Sequence, residues 1–319
     1  MYEGKEKTYY KGFAKSSDEF IIAAFIDELT APDEAPYLTN QLTFSVNNGW
    51  SSLWYEENVI TDFTDFYDNE VLALSEDASI FNALNGQFIT KVDQGIFSHM
   101  NGIVSDGEQI AVAGTNGRFY VGDLSNFRMI PNEYFSPVPD VAATTEERVS
   151  WGRNMRFFFS ISSQERQKYT ITGSHGLIVS IDRGVLHETI IQPEIRISSQ
   201  IFNAIDSKIW FCGHTPQAMI GVLNDPNNFD VLYLSSQNEY LASIEIFSGK
   251  VYVASSGNNS GVFILDNNTL IEMPFSNTAT LGAARYLQSK DGILWALFEK
   301  ALIRFDGDHW DIYRHPEYL

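Results

Sequence analysis

Histidines are the side chains of this sequence best suited to acid–base chemistry at neutral pH, and they form no known catalytic signature. The six are His99, His175, His187, His214, His309 and His315. Ser174-His175-Gly176 lacks the glycines that flank a nucleophile elbow, and the sequence has neither a His-Glu-x-x-His motif nor a pair of cysteines. The sequence therefore predicts no metal site and no cofactor.

Two shorter patterns imitate functional sites. Asp306-Gly307-Asp308 resembles the start of a calcium-binding loop, but the terminal glutamate of such a loop is missing, so a hairpin turn is predicted. His175 and His214 each follow an apolar run at corresponding places, which fits either a shared site or turn residues that tolerate unusual backbone angles. The single cysteine, Cys212, lies in an apolar run and is predicted to be buried.

Acidic side chains are numerous and unevenly placed. The 319 residues include 41 Asp and Glu against 21 Lys and Arg, a net charge of −20. This balance argues against a nucleic-acid binder or a protein that docks on anionic lipid, because both need clustered cations. No Lys or Arg occurs from Ser16 to Thr90, where fourteen acids lie. We interpret this acidic stretch as a docking surface for a basic protein or, alternatively, as a solvated face that maintains solubility.

Short apolar runs, rich in β-branched and aromatic residues, organise the chain, and helical periodicity is weak. Corresponding runs begin at residues 20, 71, 110, 169, 209, 251 and 294. A period near forty residues with four short strands is typical of β-propeller blades. The sequence therefore predicts an all-β fold, a single seven-bladed β-propeller with four antiparallel strands per blade.

The strands of each blade are lettered A to D from the inside outward. The predicted blades cover residues 7–58, 61–93, 97–131, 152–191, 197–236, 239–276 and 280–315, within one domain of residues 1–319. Blade one begins with its own A strand and blade seven ends with its own D strand, so the ring is predicted to close through apolar contacts. The B-strand residues predicted to be mostly buried are Ile110, Val112, Trp210, Val251, Val253 and Trp295.

The seventh repeat resembles a known propeller repeat. Residues 291–296 read DGILWA and residues 301–310 read ALIRFDGDHW. They are similar to the DG-x-LW and GL-x-RFDG-x-x-W pattern of hybrid two-component sensor proteins, whose repeats form WD40-like propellers. The other six repeats share the strand pattern rather than the motif. The resemblance implies propeller architecture and no particular activity, since propellers host many functions.

Two segments lengthen the repeat on one side of the predicted ring. Residues 29–40 separate strands B and C of blade one, and residues 131–154 separate blade three from blade four. In an up-and-down blade the B–C and D–A connections emerge on the same face, which we call the top face. Long loops in compact domains are often functional, although surface loops also lengthen at little cost in free energy. We therefore expect the top face to bind a partner.

The predicted partner-binding residues combine carboxylates, which would orient a basic partner, with aromatic anchors. They are Asp33, Glu34, Tyr37, Glu56, Glu57, Phe135, Glu146, Glu147 and Trp151. At the predicted mouth of the central channel, where propeller enzymes usually place their chemistry, Asp62, His99, Arg153 and Glu239 form no acid–base or metal set. No catalytic residue is assigned.

The sequence favours a non-enzymatic propeller that docks a basic protein partner. The sharper hypothesis is a cytosolic inhibitor or immunity protein that neutralises a toxin enzyme. The alternative is a small-ligand-binding, carbohydrate-binding or enzymatic propeller, which a convergent polar cluster at the channel mouth would favour. No apolar run is long enough for a membrane span or a signal sequence, so a cytoplasmic location is expected.

Overall fold

Seven four-stranded sheets make up the described part of the chain. The computed structural model describes residues 7–26, 39–55, 58–67, 70–93, 99–131, 144–145, 158–190, 195–214, 217–225, 228–235, 239–277 and 281–316. Within each sheet the strands follow chain order and pair antiparallel, and a short 3₁₀ turn, Pro274–Asn277, follows the sixth sheet. The predicted seven-bladed β-propeller is therefore confirmed.

The strands are numbered in chain order, four to a blade. Blade one has β1 (Lys7–Ala14), β2 (Glu19–Ile26), β3 (Thr39–Ser45) and β4 (Gly49–Tyr55). Blade two has β5 (Ile60–Phe66), β6 (Glu70–Ser75), β7 (Ser79–Asn82) and β8 (Phe88–Lys91). Blade three has β9 (Met100–Ser105), β10 (Ile110–Gly114), β11 (Phe119–Asp123) and β12 (Asn126–Met129). Blade four has β13 (Phe158–Glu165), β14 (Lys168–Gly173), β15 (Leu177–Asp182) and β16 (Val185–Ile190).

The last three blades continue the same arrangement. Blade five has β17 (Arg196–Asn203), β18 (Lys208–His214), β19 (Met219–Asp225) and β20 (Asn228–Leu234). Blade six has β21 (Leu241–Phe247), β22 (Lys250–Ser255), β23 (Gly261–Asp266) and β24 (Thr269–Glu272). Blade seven has β25 (Ala284–Lys290), β26 (Ile293–Phe298), β27 (Ala301–Phe305) and β28 (Trp310–Tyr313).

An Asn or Asp residue marks the hairpin turn between strands C and D in most blades. In blades two to six strand C ends in Asn or Asp, at positions 82, 123, 182, 225 and 266, and in blade seven Asp306 directly follows strand C. Asn82, Asp123 and Asp306 accept hydrogen bonds from backbone nitrogens of the turn: Asp306 Oδ1 lies 2.9 Å from the nitrogen of Asp308 and 2.7 Å from that of His309. Asp306-Gly307-Asp308 is therefore the predicted hairpin turn, stabilised as an Asx turn.

Each inner strand contains a β-bulge close to its top end. In β1 the pairing passes from Tyr9 to Lys11 and leaves Tyr10 as the extra residue. The corresponding extra residues of the other six blades are Thr61, Asn101, Phe159, Ser198, Ala242 and Arg285. We call these seven residues the mouth ring. A bulge redirects a side chain out of the regular alternation, and the mouth-ring residues line the upper channel.

The core consists of hydrophobic clusters between neighbouring blades, one at each of the seven interfaces of the described residues. Five of the B-strand residues predicted in the core are buried, at positions 110, 112, 251, 253 and 295. Trp210 is partly buried and packs against the cluster between blades five and six. Cys212 is fully buried there, as predicted, and burial raises the pKa of its thiol.

The ring closes without exchange of strands between its ends, as predicted. The inner strand β25 contacts β1, just as every other inner strand contacts the next. Trp295 of blade seven is fully buried against Phe20 and Phe44 of blade one, and its Nε1 donates to the carbonyl oxygen of Ser16 at 3.1 Å. Gln288 Oε1 accepts a hydrogen bond from the nitrogen of Ala14 at 2.7 Å. Apolar packing and side-chain hydrogen bonds therefore replace a shared sheet.

Candidate functional site

The nine residues predicted to bind a partner lie outside the described residues. These are Asp33, Glu34, Tyr37, Glu56, Glu57, Phe135, Glu146, Glu147 and Trp151, and Arg153 lies outside them as well. The strands that flank residues 27–38, β2 and β3, are a B–C pair, and β12 and β13 are the D and A strands on either side of residues 132–157. Both segments therefore connect at the top face, and the partner site remains a prediction.

The acidic stretch is largely neutralised in its described part. Seven of its fourteen acids are described: five of these have a Lys or Arg within ion-pair distance, Glu76 has His99, which is charged only if protonated, and Glu70 has none. The pairs are Lys15–Glu19, Lys11–Asp62, Lys91–Asp77, His99–Glu76, Lys290–Asp65 and Arg304–Asp18. Every cation comes from outside residues 16–90, because the ring brings flanking strands and blade seven against blades one and two. Among the described acids of this stretch, Glu70 is therefore the one without a cation or histidine at ion-pair distance.

The central channel is a polar cavity of about 410 Å³ enclosed by the inner strands. Its side chains mostly accept hydrogen bonds from backbone nitrogens of the next blade. The pairs are Asp62 with Ile103 at 3.1 Å, Thr64 with Ser105 at 3.0 Å, Ser243 with Leu287 at 3.1 Å and Gln288 with Ala14 at 2.7 Å. These polar groups connect neighbouring inner strands, which explains their presence without a ligand.

Glu245 is the most buried carboxyl of the channel wall. Its Oε1 accepts hydrogen bonds from the nitrogen of Ile246 at 2.9 Å and from Ser289 Oγ at 3.1 Å. Loss of solvation raises the pKa of this carboxyl from 4.5 to about 7, despite those hydrogen bonds. Glu245 is therefore partly protonated near neutral pH.

At its top the channel widens into a second cavity of about 360 Å³, which we call the cup. The cup is lined by the mouth-ring residues of blades one to six together with Lys11, Glu76, Arg196 and Tyr240. The Arg196 guanidinium carbon lies 4.0 Å from the centre of the Phe159 ring, a cation–π contact. Sequence reasoning did not select Arg196, Phe159 or Tyr240. Aligning the starts of the seven inner strands, rather than the B strands, would have grouped Phe159 with the other mouth-ring residues.

His214 contacts residues that line the cup without lining the cavity itself. It is the partner of Arg196 across strands β17 and β18. The imidazole stacks on Tyr240, with ring centres 3.9 Å apart, and its Nδ1 lies 3.0 Å from Ser198 Oγ. Burial, and secondarily the Arg196 charge, lowers the pKa of His214 from 6.5 to about 4, so the ring is neutral at pH 7. His175, in contrast, has a φ of 61° in its turn, which fits the turn interpretation.

The channel-mouth acids and bases named from the sequence engage separate partners. Asp62 pairs with Lys11 at 2.9 Å, and His99 Nδ1 lies 2.5 Å from Glu76 Oε1. Glu239 Oε2 accepts a hydrogen bond from the Tyr233 hydroxyl at 2.9 Å. Within the described residues no three His, Cys, Asp or Glu side chains are grouped as metal ligands would be. None of the described helical segments has the length and apolar character to cross a membrane.

Comparison with known sequences gives one informative similarity. No protein-family profile matches the chain. A stretch of 118 residues is 28% identical to the immune protein Tsi7 of Pseudomonas aeruginosa (strain PAO1). The match spans 37% of this chain and 36% of Tsi7, so it covers little more than a third of either protein.

Solved structures share the fold at low sequence identity. The Swd1 (Cps50) β-propeller domain of Myceliophteria thermophila superposes with a TM-score of 0.61 at 10% identity, over 92% of this chain and 96% of that domain. YCF48 bound to D1 peptide gives 0.65 at 12% identity, over 95% and 93% of the two chains. Virginiamycin B lyase of Staphylococcus aureus gives 0.65 at 16% identity, over 92% of each chain. At these identities the comparisons show the propeller fold alone.

Proposed function

We propose that the chain is a cytoplasmic, non-enzymatic immunity protein that binds and neutralises a basic toxin enzyme. The observation that carries the proposal is the similarity to the immune protein Tsi7. The net charge of −20 supports a basic partner, because opposite charge accelerates encounter. The resemblance of blade seven to repeats of hybrid two-component sensors concerns architecture and adds no signalling role.

The docking surface that we propose is the top face, with the residues predicted from the sequence. Most described acids of blades one and two are paired within the ring, so their charge is partly offset before any partner arrives. This leaves the loop carboxylates Asp33, Glu34, Glu56 and Glu57 to steer a basic partner. Tyr37, Phe135 and Trp151 would supply the anchors, with Glu146 and Glu147 beside them.

Affinity capture with the native chain at two salt concentrations, followed by surface-plasmon kinetics, tests the proposal. Replacing Asp33, Glu34, Glu56 and Glu57 by Ser should slow association roughly tenfold and flatten its salt dependence, with little effect on dissociation. The matched control changes the net charge equally at exposed acids away from the top face: Asp182, Asp230, Asp266 and Asp308. Equal slowing in both variants would mean that net charge, not the top face, controls binding. Recovery of no basic partner would overturn the proposal.

The runner-up is a small-ligand-binding or enzymatic propeller with its site at the channel mouth. The observation that favours it is the contact of Ser198 Oγ with His214 Nδ1, which resembles a nucleophile beside a base. An irreversible serine-directed probe distinguishes the two functions. Labelling of Ser198 that is lost in His214→Gln would support the enzyme, whereas an immunity protein requires no labelling.

A further inference from the structure

Arg196 places a cation at the channel mouth of an otherwise acidic protein. It is exposed at the top end of β17, and among the described residues no carboxylate lies within ion-pair distance of its guanidinium. Of the other charged groups that line the cup, Lys11 pairs with Asp62 at 2.9 Å, and Glu76 lies 2.5 Å from His99, which is charged only if protonated. Among the described residues that line the cup, Arg196 is therefore the one cation without an ion-pair partner.

The surroundings of Arg196 favour recognition of a planar anion. The Phe159 ring supports one face of the guanidinium, which leaves the N–H edge free to bind a carboxylate with two hydrogen bonds. Beside it, the Ser198 hydroxyl, which is hydrogen-bonded to the neutral His214 imidazole, offers the cup a polar group that adds no charge. Tyr240, stacked on His214, adds an aromatic wall.

We propose that the cup receives a carboxylate side chain, an Asp or Glu, from a segment of the protein partner. This rests on the proposed function, since it names a contact within the same top-face interface. The volume of about 360 Å³ suits an inserted side chain with its flanking backbone. The partner that fits is basic where it faces the acidic loops and acidic at the point that enters the cup. This pattern rejects partners that are uniformly basic.

The first test needs no partner. The peptide acetyl-Gly-Gly-Glu-Gly-Gly-amide and its Gln counterpart are titrated at millimolar concentration into the labelled full chain, and NMR follows the arginine Nε–H and histidine ring signals. The Glu peptide should shift the Arg196 and His214 signals saturably, and the Gln peptide should not. Arg196→Met should abolish the shift, while the control Arg183→Met, at an exposed arginine in the blade-four hairpin turn, should retain it. Far-UV circular dichroism checks that both variants fold.

Three results would overturn the proposal: equal shifts with the Glu and Gln peptides, a shift that persists in Arg196→Met, or a stronger response to inorganic phosphate, which would indicate a site for free anions. With a captured partner, Arg196→Met should accelerate dissociation by about tenfold or more. A positive titration without a captured partner would refute the proposed function alone. If a partner is captured and its dissociation rate is unchanged in Arg196→Met, the cup assignment alone is refuted.

Discussion

Replacement of Trp295 by Ala should destabilise the propeller more than the same change at Trp210. The two tryptophans occupy the third position of their B strands, β26 and β18. Trp295 is fully buried at the junction between blades seven and one, where no shared sheet holds the ring. Trp210 is partly buried between blades five and six, and its Nε1 lies 3.4 Å from Asp206 Oδ2. The chain thus contains its own matched control.

The expected cost follows from the area and the hydrogen bond that are lost. A buried tryptophan removes roughly 150–250 Å² from water, which at about 25 cal/mol per Å² corresponds to about 4–6 kcal/mol. Large-to-small core changes at aromatic residues cost about 3–5 kcal/mol, and loss of the bond to Ser16 adds about 1 kcal/mol. We expect about 4 kcal/mol for Trp295→Ala and about 2 kcal/mol for Trp210→Ala. Trp295→Phe, which keeps an aromatic ring, should cost about 1–2 kcal/mol.

Urea unfolding followed by far-UV circular dichroism measures these differences, because this signal comes mainly from the backbone, whereas tryptophan fluorescence would change with the residues that are removed. The denaturant dependence must be compared between variants, since a lower slope in Trp295→Ala would report a ring already open in the native state. Equal destabilisation by the two alanine variants would refute the argument that the junction between blades seven and one depends on this side chain. A larger cost at Trp210 would refute it outright.

Two further predictions concern pH. Glu245 keeps its proton in the folded state up to about pH 7 but releases it near 4.5 when unfolded, so its contribution to stability falls as the pH rises through this window. Glu245→Gln should reduce this loss of stability by roughly 1–3 kcal/mol, measured from urea midpoints at pH 4.5 and 7.5. A pH dependence of stability that is the same in the variant would contradict this. His214 has a folded pKa of about 4, below its ordinary 6.5, so its contribution to stability is complete above pH 6.5 and is lost as the pH falls toward 4. Its ring signals in NMR should be those of neutral imidazole at pH 5.5, and a protonated ring at that pH would refute the burial argument.

The blades were predictable because each depends on local chemistry that recurs along the chain. Apolar runs such as 110–113 form the B strands, and turn residues such as Asp306 end the C strands. The bulges were not predictable in the same way. The bulged position is occupied by residues as different as Tyr10, Ala242 and Arg285, so no residue type marks it. The shared feature is geometric, since every inner strand must fit around the same narrow channel.

The charge pattern shows a second limit of reading along the chain. Counting acids and bases within residues 16–90 left their charge without counter-ions, yet the folded ring brings Lys290 to 3.3 Å from Asp65 and Arg304 to 3.5 Å from Asp18. These pairs join blade seven to blades one and two, and closure of the ring creates them. Exposed ion pairs contribute about 0–1 kcal/mol each, so their main effect is to offset charge rather than to hold the junction.

Arg196→Met is the variant that separates the two sources of affinity, because Arg196 is the one cation without an ion-pair partner among the described residues that line the cup. The substitution changes the net charge from −20 to −21. If attraction between an acidic propeller and a basic partner were the whole interaction, this variant would associate slightly faster and bind slightly tighter. If a carboxylate of the partner enters the cup, the same variant must bind more weakly, because that carboxylate loses its cation and would lie against Phe159 and Ser198 without compensation. The sign of the change in affinity, measured at low salt where both effects are largest, therefore decides between a general electrostatic interface and a built carboxylate site.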